Sequence, residues 1–150
     1  MTNESHALKC DLAAEVLRCF GKLRLQVGGW SMLPSIWPRD TLIIERASTS
    51  SVSAGDVVLF GRDQRLFVHR VIRKAVKSEA LVTQGDAMDS PDSPVSENEF
   101  LGKVTFIVRN GSLLRPRTKL RIRDRAIATL VRRSKTGARA VVVAHGFVHN

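Results

Sequence analysis

A chain of 150 residues with 43% apolar content has room for one domain with a buried core, and its formal net charge is +10. The apolar fraction excludes a disordered chain, and two cysteines exclude a disulfide-built scaffold. No window nears the roughly 18 uninterrupted apolar residues of a membrane-spanning helix, and Glu4, Asp11 and Glu15 break up any secretory leader, so the expected location is the cytoplasm.

In chain order, residues 6–20 read as an amphipathic helix, because Leu8, Leu12, Val16 and Phe20 recur every four residues. Cys10 and Cys19 fall on opposite sides of such a helix and should not bridge. Gly21 ends it. Leu23, Leu25 and Val27 then alternate with Lys22, Arg24 and Gln26, which is strand periodicity. Further β-like runs occupy 41–45, 56–60, 66–73, 80–83 and 101–108, separated by turn-rich pieces at 38–40, 48–55, 61–64 and 85–94. Asn110-Gly111 closes the last run. After Pro116 a helical pattern resumes, with Leu120, Ile127, Leu130 and Val131 against an arginine-rich face. The predicted fold class is mainly β (α+β). An antiparallel body over 23–112 lies between an N-terminal helix in 1–22 and a basic helical extension over 113–150.

Charge is concentrated at one end. Residues 115–150 hold ten Lys and Arg against the single acid Asp124, whereas residues 1–114 carry fourteen bases and thirteen acids. A cationic tail suits an anionic lipid surface, an acidic partner or, as a weaker fit, nucleic acid. The bland alternative is a solvated helix face.

Three segments carry residues capable of chemistry. In Gly28-Gly29-Trp30-Ser31-Met32-Leu33-Pro34, two glycines precede a serine and a proline stiffens the exit. A serine on a rigid turn with backbone N–H groups nearby is what acyl transfer needs, although an incidental turn serine reads the same way. In Phe67-Val68-His69-Arg70-Val71-Ile72, His69 interrupts a β-branched strand, as an edge-strand histidine or a general base would. In the 83–92 loop, Asp86, Asp89 and Asp92 recur every three residues. The spacing is wrong for a calcium loop, and either a solvated turn or an aspartate that orients a histidine fits it. His145 and His149 lack a third metal ligand nearby, so neither a metal nor a cofactor is expected.

Taken in order, these segments resemble signal peptidase I, in particular its Ser-His branch typified by the endoplasmic-reticulum and archaeal enzymes. The resemblance rests on Gly29-Trp30-Ser31-Met32-Leu33-Pro34, Arg39-Asp40-Thr41-Leu42-Ile43-Ile44, Gly55-Asp56-Val57-Val58-Leu59-Phe60, Val68-His69-Arg70-Val71, Thr83-Gln84-Gly85-Asp86 and Gly102-Lys103-Val104, and covers roughly residues 28–105. It implies a serine endopeptidase that cuts extended peptides or precursor proteins after small residues through an acyl-enzyme. By the same resemblance Ser31 is the nucleophile and His69 the base. Asp92, six residues past the box aspartate, is the third member. Asp86 matches the box aspartate, as a supporting or catalytic group, and the sequence leaves the choice between the two open. The backbone of Ser31 would serve the oxyanion, with Gly29 standing where many relatives have a serine. Met32, Leu33 and Ile36 are expected to line the substrate groove, and Arg70 to brace the turn. Asp40 and Asp56 are expected at turn and core-bracing positions. Trp30, Leu33, Ile36 and Trp37 read either as packing or as an apolar rim that dips, with the basic helix, into an anionic membrane interface.

Two other classes are consistent with parts of the pattern. LexA-type repressors share a related β fold and cleave themselves, but with a serine–lysine dyad and a separate DNA-binding domain. Here the base position is His69, and about 27 residues precede the serine box. The other alternative is a catalytically weak peptide, membrane-surface or nucleic-acid binding module on the same scaffold.

Overall fold

A computed structural model describes residues 3–75 and 78–133. Its elements are α1 (Asn3–Phe20), β1 (Lys22–Gln26), β2 (Thr41–Glu45), β3 (Val57–Arg62), β4 (Arg65–Lys74), β5 (Leu81–Gln84), β6 (Phe100–Arg109), β7 (Ser112–Leu114) and α2 (Ile122–Arg133). The fold is mostly antiparallel β with a helix at either end, as the sequence patterning predicts. Strands run β1-β2-β6-β3-β4-β5, with β7 added to β6.

The run Val57-Val58-Leu59-Phe60 is apolar at every position because β3 is covered on both faces. Val57 and Leu59 enter one cluster, with Leu17, Met32, Ile36, Leu42, Ile44, Val104 and Ile107. Val58 and Phe60 enter a second, with Val52, Val71, Leu81, Val95 and Phe100. Each such fully buried side chain contributes about 1.5–3 kcal/mol relative to an exposed one. β7 is an element the sequence reading did not separate from the last strand. Asn110 (φ 49°) and Gly111 (φ 77°) both take positive φ, the signature of a two-residue hairpin turn, and the turn pairs Arg109 with Ser112. With only three residues, β7 is too short to show alternation.

α1 docks differently from its predicted stripe. Leu8, Leu12 and Phe20 are 68%, 60% and 79% exposed, while Ala13 and Leu17 are buried. Small Ala13 lets the helix backbone approach the sheet, and Leu17 reaches the first cluster. Both cysteines are free. Cys19 is exposed, and its thiol donates to Glu15, so it is not an apolar packing residue.

The segment after β5 is held by one side-chain clamp. Arg62 donates from Nε and Nη2 to the Glu99 carboxylate at 2.6 and 2.9 Å, and it also reaches the carbonyls of Ser93 and Pro94. Glu99 further accepts the Ser96 N–H. Arg62 is the main reason the Glu99 carboxyl is pulled from its ordinary 4.5 to about 2. A depressed carboxyl stabilises the fold above its unfolded value and loses that contribution as pH falls through its folded value. Acid unfolding followed by circular dichroism between about pH 5 and pH 2 should therefore be less steep in Glu99→Gln than in the parent. At neutral pH, Glu99→Gln should cost about 1 kcal/mol.

Candidate active site

Ser31 lies in the 27–40 connection between β1 and β2. The connection is closed at its base, where the Val27 N–H donates to the Asp40 carbonyl and the Arg39 N–H to the Val27 carbonyl, both at 2.8 Å. Asp40 is buried and fixes the same base. It accepts the Trp37 N–H at 2.8 Å and a bidentate pair from Arg109 at 2.9 and 2.6 Å. Within the connection, Met32, Leu33 and Ile36 are buried anchors, and the Leu33–Pro34 peptide is cis. The serine therefore sits on a turn whose neighbours are held by the core.

His69 lies on β4, where alternation places it on one face with Phe67 and Val71. The residue is 4% exposed, and its ring packs against the stacked pair Phe60 and Phe67, with centroids at 5.9 and 6.0 Å. Asp92 returns to it because the Asp92 N–H donates to the Thr83 carbonyl at 2.8 Å, folding the loop back on β5.

The three side chains meet in a line. His69 Nε2 lies 3.1 Å from Ser31 Oγ, and His69 Nδ1 lies 2.6 Å from Asp92 Oδ2. The same carboxylate oxygen accepts the Thr83 hydroxyl at 2.7 Å. A carboxylate only accepts, so Nδ1 donates to Asp92, and a neutral ring with its proton there has Nε2 as an acceptor facing the serine hydroxyl. Gly85 makes the fit tight. A Cβ there would come within 2.7 Å of the Ser31 carbonyl oxygen, 2.6 Å of Met88 Cγ and 3.1 Å of His69 Nε2.

Asp86 is elsewhere. The loop spacing left Asp86 and Asp92 as alternatives beside the histidine, and only Asp92 reaches it. Asp86 is buried against Arg70, which donates from Nε and Nη2 to its two oxygens at 2.8 Å each, and the Ser35 hydroxyl donates at 2.5 Å. Arg70 also donates to the Gly55 carbonyl at 2.9 Å and to the Arg117 carbonyl. Asp56 and Asp40 are likewise in ion pairs, with Lys103 and Arg109.

A groove of about 930 Å³ runs past Ser31, walled by α1, β1 and β4. Met32 and Ile36 line it, as does Gly29, around whose α-carbon space is open. Leu33 does not. It is fully buried on the other side of the turn, against Trp37, Ala87 and Val131 of α2, which removes it from the substrate-contacting set. The same seam buries Trp37, so of the four residues read as a membrane rim only Trp30 is exposed. Among the described residues no helix is long and apolar enough to cross a membrane, and no cluster of metal-ligating side chains occurs. His145 and His149 lie outside the described residues.

Residues 8–105, which include Ser31, His69 and Asp92, match the Peptidase S24-like family. The chain belongs to that family. The match is to this broad group and does not extend to the signal peptidase I branch, and no curated protein matches. For an S24-like chain the sequence reading missed three supports of the site. The Arg132 guanidinium on α2 donates to the Asp86 carbonyl at 3.0 Å, the stacked rings of Phe60 and Phe67 pack against one side of His69, and α1 forms a groove wall. A cation in a basic helix and an aromatic in an apolar strand give no such signal in sequence.

If the Gly85 contact sets the serine–histidine distance, Gly85→Ala should lower peptide cleavage about 10²-fold while near-ultraviolet circular dichroism stays native. Steady-state cleavage of one fluorogenic peptide by the two proteins is the check.

Proposed function

We propose that this S24-like protein is a serine endopeptidase that cuts extended peptides after small residues. The observation that carries the reading is the continuous hydrogen-bonded line from Ser31 Oγ through the His69 ring to Asp92, at 3.1 and 2.6 Å. Ser31 lines a groove of about 930 Å³ walled by α1, β1 and β4. His69 Nε2 takes the Ser31 proton as Oγ attacks the scissile carbonyl carbon. The tetrahedral intermediate collapses, the C–N bond breaks, and His69 returns the proton to the leaving amine. Water, deprotonated by the same nitrogen, then attacks the acyl-enzyme ester and frees Ser31. Asp92 holds the Nδ1 tautomer throughout. The Ser31 backbone N–H serves the oxyanion, with the open space at Gly29 beside it. The preference for small residues follows the resemblance to signal peptidase I, and buried Met32 and Ile36 give a shallow apolar floor consistent with it.

The test is a peptide mixture incubated with parent protein or with Ser31→Ala and read by mass spectrometry. New C-termini at small residues should appear with the parent alone. Identical peptide maps from both proteins would remove the reading.

A further inference from the structure

Every ionisable side chain lining the groove beside Ser31 is basic or imidazole. His6 and Lys9 come from α1, Arg24 from β1 and Arg65 from the start of β4, and among the described residues no aspartate or glutamate lines it. This is a local choice, since residues 1–114 are almost balanced at fourteen bases and thirteen acids. Glu15 on α1 pairs with Arg18 and Glu45 on β2 with Lys22, two cations that are not part of the groove lining. Asp63, two residues before Arg65, lies in the β3–β4 turn and is not part of the lining. Like charges along an otherwise apolar trough focus a positive potential into it.

We infer that the groove selects peptides carrying aspartate or glutamate on alternate side chains. This deepens the serine endopeptidase reading and rests on it. Among the described residues β1 pairs only with β2, so its other edge is open to an added strand. A strand laid there adopts the alternation of β1. Its side chains that share the face of Leu23 and Leu25 meet the apolar wall, because those two leucines pack on the first core cluster. The intervening ones fall beside Arg24, which is exposed between them. Opposite charges placed across a strand pair attract, and like charges repel. Arg65, exposed on the facing wall, offers a second cation. The class of substrate is thus an extended acidic segment with small or apolar residues at every second position. Lysine- and arginine-rich segments are rejected, the chain's own stretch at 115–139 included.

Ser31→Ala protein, which cannot turn over, should be titrated with three fluorescein-labelled peptides of one small-residue sequence bearing Glu, Gln or Lys at alternate positions. Fluorescence anisotropy should give the order Glu, Gln, Lys, with the Glu peptide about 3- to 30-fold tighter than the Gln peptide. The gap should shrink as salt rises from about 0.05 M to about 0.5 M. Adding Arg24→Glu and Arg65→Glu should reverse the order, and the milder Arg24→Gln should narrow it, with circular dichroism reporting that each variant is folded. Equal binding of the Glu and Gln peptides, no binding of any, or an unchanged order in the folded charge-reversed variant would each overturn the proposal. Cleavage of the same peptides by the parent protein separates the two readings. A Glu preference in binding with no peptide cut defeats the endopeptidase and keeps the acidic groove, whereas equal cutting of Glu and Gln peptides defeats the acidic groove alone.

Discussion

Ser31→Ala and His69→Ala are each expected to lower peptide cleavage by at least about 10⁴-fold, and the double variant should be little worse than either single one. In the proposed mechanism one proton passes between the two side chains, which lie 3.1 Å apart, in a single step. Removing either group removes the step, so their effects do not add. Asp92→Asn tests the other end. An asparagine amide can donate to Nδ1, which favours the tautomer that points a proton at Ser31 and leaves no base there. Its cost should approach 10⁴-fold in kcat. Asp92→Ala removes the orienting group without imposing the wrong tautomer, and should be milder. Thr83→Ala, which strips one hydrogen bond from the same carboxylate, should cost about tenfold or less. Steady-state rates on one fluorogenic peptide check the series. Additive losses for Ser31 and His69 would mean that the two groups do not share a proton.

How much of this was legible in the sequence depends on what each residue reports. The alternation at 22–27 discloses a strand with one covered face, and the unbroken apolar run at 57–60 fits a strand covered on both, because burial of one face or two is written into side-chain chemistry. Ser31 and His69 were legible through the motifs around them, since their spacing of 38 residues carries no local signal. Asp92 and Asp86 were not separable, as both lie in one loop. What separates them is a backbone bond from Asp92 to Thr83 and a buried arginine partner for Asp86, neither of which has a period. α1 misled for a different reason. It has two apolar stripes, and spacing reports that a stripe exists without saying which one docks. The larger stripe, with Leu8 and Phe20, faces out, and the smaller one with Ala13 meets the sheet. The basic tail was read by its charge and its helical apolar spacing, and neither reports that it ties into the body through the Arg117 carbonyl, the Arg132 guanidinium and the Val131 side chain.

That internal use of the tail predicts the largest stability effect. Arg70→Ala should destabilise the protein by about 3–5 kcal/mol, because the Asp86 carboxylate stays buried with only the Ser35 hydroxyl on its side-chain oxygens. This is a large share of the 5–15 kcal/mol typical of a domain. It should also release the carbonyls of Gly55 and Arg117, loosening α2 and, through the Leu33 seam, the turn that carries Ser31. Arg70→Lys should recover little, since an ammonium cannot engage both oxygens at once. The discriminating variant is Arg70→Met with Asp86→Leu. If the cost lies in an orphaned charge, removing both partners should restore most of the stability lost in Arg70→Ala, giving a coupling of about 2 kcal/mol or more in a double-mutant cycle. Urea unfolding at neutral pH measures all four corners. If the double variant is as unstable as the sum of its parts, the arginine acts through the carbonyls it binds and the ion pair is secondary. Activity separates the roles again: with the charge problem removed but the carbonyl ties still missing, the double variant should fold and yet cleave more slowly than the parent.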